Sequence, residues 1–139
     1  MKINHVLTKV FLGLSIGVAS LAVSAQSMKV NLTGAQEVPP VMTSASGVGS
    51  IVVGPDGSLS GTITTNGVEG TMAHIHEGAM GQNGPVIVPF TKTADNVWSA
   101  AAGAKLTDAQ LQSLKSGNLY LNVHSAVNKP GEIRAQLKP

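Results

Sequence analysis

Cysteine is absent from all 139 residues. That excludes disulfides and thiolate metal sites, and it excludes lipid attachment at an N-terminal cysteine. Aromatic side chains are scarce, limited to Phe11, Phe90, Trp98 and Tyr120. A core must therefore be built from Val, Ile, Leu and Ala. Charge is also sparse, at 12% of residues. Clustered Lys and Arg are missing, which excludes a nucleic-acid or anionic-membrane surface.

The N-terminus reads as a cleavable secretory signal over residues 1–25. Lys2 and Lys9 supply the positive start, Val10 to Ala19 the apolar stretch, and Val23-Ser24-Ala25 the small residues before a cut between Ala25 and Gln26. The apolar run falls short of the roughly 20 residues of a spanning helix, so no stable anchor is expected after cleavage. Nine Lys and Arg stand against seven Asp and Glu in the whole chain. Without Lys2 and Lys9 the two signs balance. Residues 26–139 are then one exported domain, periplasmic or secreted, of ordinary single-domain size.

Within that domain the pattern is of short strands with turns between them. Met28, Val30 and Leu32 alternate on one face. Ser46–Val53 and Ser58–Thr65 flank Gly54-Pro55-Asp56-Gly57, a turn that makes them a hairpin. Glu37-Val38-Pro39-Pro40-Val41 is an edge or loop, since proline donates no ladder hydrogen bond. Further strands are expected at 70–78, 85–90, 95–99, 119–124 and 132–137. One helix is predicted over 107–117, with Thr107 as its N-cap and Gly117 as its stop. Strands at this spacing predict an all-β, antiparallel β-sandwich of Greek-key type, with the short helix in a crossover between sheets.

Three histidines lie beyond the leader: His74, His76 and His124. Alternation places Met72, His74 and His76 on one strand face and Ala73 and Ile75 on the other. Tyr120, Asn122 and His124 likewise oppose Leu119, Leu121 and Val123. His-x-His on a strand projects two rings the same way, about 7 Å apart along the backbone. If the two strands are neighbours, three imidazoles converge, a donor set that suits copper, with zinc as the alternative. Met72 and Met80 are candidate thioether ligands that would favour Cu(I), and Glu77 is a candidate for orienting an imidazole. The competing account is a solvated strand face. Arg134, alternating with Glu132 and Gln136, fits a surface ion pair or an anion guide. No nucleophile–base pair is present: Ser125 follows His124 directly, so a strand points the two apart.

Four segments resemble the CHRD domain family, which includes single-domain secreted bacterial proteins. They are Leu32-Thr33-Gly34-Ala35-Gln36-Glu37-Val38-Pro39-Pro40, Ala73 to Gly78 with Asn83-Gly84-Pro85-Val86, Leu119 to Ser125, and Pro130 to Leu137. The histidine strands are also similar to two copper-ligand segments of copper/zinc superoxide dismutase. That likeness implies a copper site of His74, His76 and His124 on a superoxide-dismutase-like sandwich. It lacks a bridging histidine, a zinc-ligand set and cysteines, so a mononuclear site is implied. The expected function is copper storage, transfer or tolerance, with Cu(I) or Cu(II) bound and a copper-donor or acceptor protein as partner. The alternatives are a superoxide dismutase-like redox enzyme and a metal-free module binding a protein through its edge strands.

Overall fold

The computed structural model describes residues 24–139, so the leader assigned to residues 1–25 lies almost wholly outside the described residues. Eight antiparallel strands run in the chain order β1 (Gln26–Thr33), β2 (Ser46–Val53), β3 (Leu59–Asn66), β4 (Gly70–Glu77), β5 (Val86–Ala94), β6 (Val97–Ala100), β7 (Leu119–Ser125) and β8 (Ile133–Leu137). Among the described residues a short 3-10 turn follows β1 at Gly34–Gln36, and one α-helix, α1 (Asp108–Lys115), lies between β6 and β7. Thr107 and Gln110 form a reciprocal capping box at its start, and Gly117 takes a positive φ of 73° just past its end. No helix among the described residues is long and apolar enough to cross a membrane.

The strands close into a barrel in the order β1-β2-β3-β6-β5-β4-β7-β8. The expected two-sheet sandwich is therefore incorrect. Alternation cannot separate the two architectures, because in both one side of each strand faces a core and the other faces outward. What distinguishes them is how sharply the sheet bends. On β2 the inward positions are Gly47, Gly49, Ile51 and Val53. A Cβ on Gly49 would lie 2.8 Å from Val30 Cγ2 and 3.5 Å from Leu121 Cδ2, and one on Gly47 would lie 3.2 Å from Ile133 Cδ1. The two glycines let β1 and the opposite wall close over a narrow interior. The helix lies in a connection that leaves β6 and passes β5 and β4 before entering β7, so it spans part of a barrel wall.

The interior is aliphatic, as the composition requires. Leu32, Ile51, Ile63, Ala73, Ile75, Leu121, Val123, Ile133 and Leu137 are buried in one cluster, with Trp98 and Phe90 as its aromatic members. The hairpin over Gly54–Gly57 forms as expected, with Val53 paired to Leu59 and Gly57 at φ 83°.

β7 departs from simple alternation, because every residue from Leu119 to Ser125 is buried. Its inward side fills the barrel. Its outward side meets the 78–85 loop, where Gly84 pairs with the Tyr120 hydroxyl, and the 34–43 segment, where Glu37 lies against Asn122. A second, polar layer thus sits outside the barrel wall over β4, β7 and β8.

Filling the β2 gap should unseat the barrel. Gly49→Val is expected to destabilise the fold by about 1–3 kcal/mol through overpacking against Val30 and Leu121. A urea midpoint unchanged from the parent would refute this account of the closure.

Candidate metal centre

β4 and β7 pair directly, with Met72 opposite His124, His74 opposite Asn122 and His76 opposite Tyr120. This pairing brings the three histidines together on the outer face. Their nearest ring nitrogens lie within 4.8 Å of one another. His74 Nδ1 and His124 Nε2 are 3.0 Å apart. Two nitrogens bound at about 2.0 Å to one tetrahedral ion sit roughly 3.3 Å apart, so this spacing suits a shared ion.

The backbone fixes which nitrogens are free. His76 Nδ1 is 2.9 Å from the Gly84 carbonyl, and His124 Nδ1 is 2.8 Å from the Lys129 carbonyl. A carbonyl only accepts, so both Nδ1 atoms carry the proton and both Nε2 atoms present bare lone pairs. The buried His76 Nε2 has no hydrogen-bond partner. The His124 Nε2 lone pair accepts from His74 Nδ1, and an ion shared by the rings takes the place of that proton. An orphaned imidazole nitrogen beside two others is what a metal-ligand set requires, so the residues fit a bound cation.

The environment favours the neutral form of His74 and His76. Burial, then the nearby His124 and His76, push the His74 pKa down from 6.5 to about 4. Burial also lowers that of His76, against an opposing hydrogen bond to Gly84. His76 and His124 are buried and His74 is half-buried, so the solvated-face account does not hold for the cluster.

Around the site the loops do the orienting. Gly84 accepts from His76 and donates its N–H to the Tyr120 hydroxyl at 3.1 Å. No larger residue fits at this position, because a Cβ there would collide with the Glu77 carbonyl. Tyr120 stacks flat on His76, with centroids 4.8 Å apart and planes 7° apart. Asn122 is buried with its Oδ1 unpartnered, and its amide group and the Glu37 carboxylate both crowd the place a Gly131 Cβ would take. Burial pushes the Glu37 pKa up to about 7, against the pull of Arg134.

The other candidates lie further out. Met72 is 49% exposed on the histidine face, in register with His124. Met80 sits in the β4–β5 loop and lines a cleft of 560 Å³ with Ala35, Glu37, Val38 and Gln136. The Glu77 carboxylate accepts from Ser113 Oγ at 2.5 Å, tying β4 to the helix. Arg134 is not a surface ion-pair residue. It is 1% exposed, and its hydrogen bonds go to Asn83, Ala79, Gln82 and Gln136. Alternation gave its face correctly but could not show that a loop covers it. The asparagine and glycine of Asn83-Gly84 were the only local hint of a structured loop there.

Fold and site together define a small antiparallel β-barrel with a three-histidine cluster on its outer wall. The chain belongs to the CHRD domain family, whose CHRD domain model matches residues 28–137. No curated protein and no solved structure matches it. The family resemblance read from the sequence is thus shown, whereas the likeness to superoxide dismutase gains no support and its sandwich is replaced by the barrel.

His74 and Glu37 shape the pH dependence of stability in opposite senses. His74 takes a proton near 6.5 when unfolded and only near 4 when folded, so its contribution is intact above 6.5 and lost as pH falls toward 4. Glu37 has a folded pKa of about 7 against 4.5, so its contribution is present below 4.5 and lost as pH rises through 7. In urea titrations across this range, Glu37→Gln should gain stability with rising pH more steeply than the parent. His74→Gln should shift the slope the other way. Parallel curves for parent and both variants would contradict the assignment.

Proposed function

We propose that the protein is an exported copper-binding module that holds one ion on His74, His76 and His124, for copper storage, transfer or tolerance. The observation that carries this reading is the buried, unpartnered Nε2 of His76, held beside the two other imidazoles by backbone carbonyls that fix its tautomer. Membership of the CHRD family suggests an extracellular module, and the leader-like residues 1–25 agree with export.

Copper is favoured over zinc on chemical grounds. An imidazole-only site ranks divalent ions in the usual affinity order, in which Cu(II) exceeds Zn(II). Cu(I) also accepts imidazole and thioether donors, and the half-exposed Met72 on the same face supplies a nearby thioether. With no cysteine in the chain, the donors are not consumed by oxidation to disulfides outside the cytoplasm. A copper-donor or acceptor protein would approach at the exposed Met72 side, the open side of the cluster.

The test is competition titration of the exported protein with Cu(I), Cu(II) and Zn(II) against chelators of known affinity. One equivalent of copper should bind. His74→Ala, His76→Ala and His124→Ala should each weaken copper by more than about 100-fold, beyond the loss typical of removing a supporting residue. Copper binding that survives all three substitutions rules the site out.

A further inference from the structure

The residue with the most side-chain hydrogen bonds around the cluster is no candidate ligand. Arg134 is buried to 1% exposure on the outer side of β8. Its guanidinium donates to Asn83 Oδ1 at 3.2 Å, the Ala79 carbonyl at 3.3 Å, the Gln82 carbonyl at 2.9 Å and Gln136 Oε1 at 3.0 Å. All four acceptors are neutral. A buried cation without a hydrogen-bonded carboxylate is costly to keep. Burial accordingly draws its pKa below the usual value, with Tyr120 and Glu37 opposing.

What it gains is position. Its Cζ lies 3.5 Å from the centroid of the Tyr120 ring, and the same ring stacks flat on His76. The loop it ties down is the one whose Gly84 carbonyl holds the His76 Nδ1 proton. One side chain therefore acts on one metal-binding ring by two routes, a hydrogen-bonded loop and a stacked aromatic.

We propose that Arg134 is a positioning residue that keeps the His76 Nε2 lone pair facing the cluster and biases the site toward a monovalent over a divalent cation. The proposal rests on the metal-binding reading above. Its physical basis is that a fixed positive charge repels a bound ion in proportion to that ion's charge, and a buried charge is little screened by salt. In copper terms, the site favours Cu(I). The loop contacts act separately: they decide which nitrogen of His76 carries the proton.

Two measurements separate these routes. Ag(I) and Zn(II) serve as redox-inert monovalent and divalent probes. Arg134→Gln removes the charge, while Arg134→Lys keeps it and loses the planar fork. The ratio of Ag(I) to Zn(II) affinity should fall about tenfold in the glutamine variant and stay within about threefold of the parent in the lysine variant. Equal ratios in the two variants overturn the charge bias.

The second measurement is nitrogen-15 NMR of the metal-free protein. His76 should be the Nδ1–H tautomer in the parent and should gain an Nε2–H share in Arg134→Lys. Tyr120→Phe, which keeps the stack but drops the hydroxyl contact to Gly84, should do the same and serves if the arginine variants do not fold. A His76 that stays wholly Nδ1–H overturns the positioning role. If the parent binds neither ion, the metal reading fails, and the bias toward monovalent ions fails with it, while the tautomer still decides whether Arg134 positions the ring.

Discussion

The polar layer outside the barrel depends on the grip of Arg134 on the 79–84 loop. A buried guanidinium needs several acceptors, and those it finds are loop carbonyls and the side chains of Asn83 and Gln136. Satisfying it draws the loop down onto the sheet. That in turn covers Tyr120 and His76, places Gly84 against both, and leaves one imidazole nitrogen with nothing to bind. The aliphatic interior would form from alternation alone, but the site would not. Its geometry follows from a polar side chain that must be paid for in hydrogen bonds once it is out of water.

The cost of that layer is visible in its unsatisfied groups. His76 Nε2, Asn122 Oδ1 and Glu37 Oε1 are all buried without partners, and all lie in the same polar layer. Such orphans are rare in folded proteins and concentrate where function requires them. On the proposed function, a bound cation would account for the first. Glu37 lies against Asn122, and burial raises its carboxyl pKa to about 7 against the pull of the Arg134 guanidinium and hydrogen bonds from Asn122 and Val38. His74 and His76 are kept neutral chiefly by burial, with the neighbouring imidazoles adding to it. An ion entering the cluster would meet neutral His74 and His76 and would have to displace only the His74 Nδ1 proton shared with His124.

Much of this was legible in the residues. Alternation placed Ala73 and Ile75 inward and the histidines outward, and Thr107 and Gly117 bracketed the helix as their chemistry requires. The convergence of His74, His76 and His124 needed only that β4 and β7 be neighbours, as they are. Barrel closure was not legible, because Gly47 and Gly49 read as weak strand positions until their neighbours across the interior are known. The same holds for Arg134. Its place between Glu132 and Gln136 looks like any exposed strand face, and only the return of a loop distant in sequence makes it buried. Periodicity reports which side of a strand a residue occupies, and it is silent about what lies over that side.

The seam between β1 and β8 gives the barrel an uneven mechanical character. Every other neighbouring pair shares three or more registered residues, whereas this one shares Thr33 with Arg134 and nothing more. Local opening of a sheet begins where the fewest hydrogen bonds must break, so amides along this line exchange with solvent ahead of those in the β1–β2–β3 ladder. The residue at the seam is also the one that holds the loop over His76. Opening along this seam is therefore expected to loosen the loop over His76 and, on the proposed function, to shorten the stay of an ion held on the outer wall.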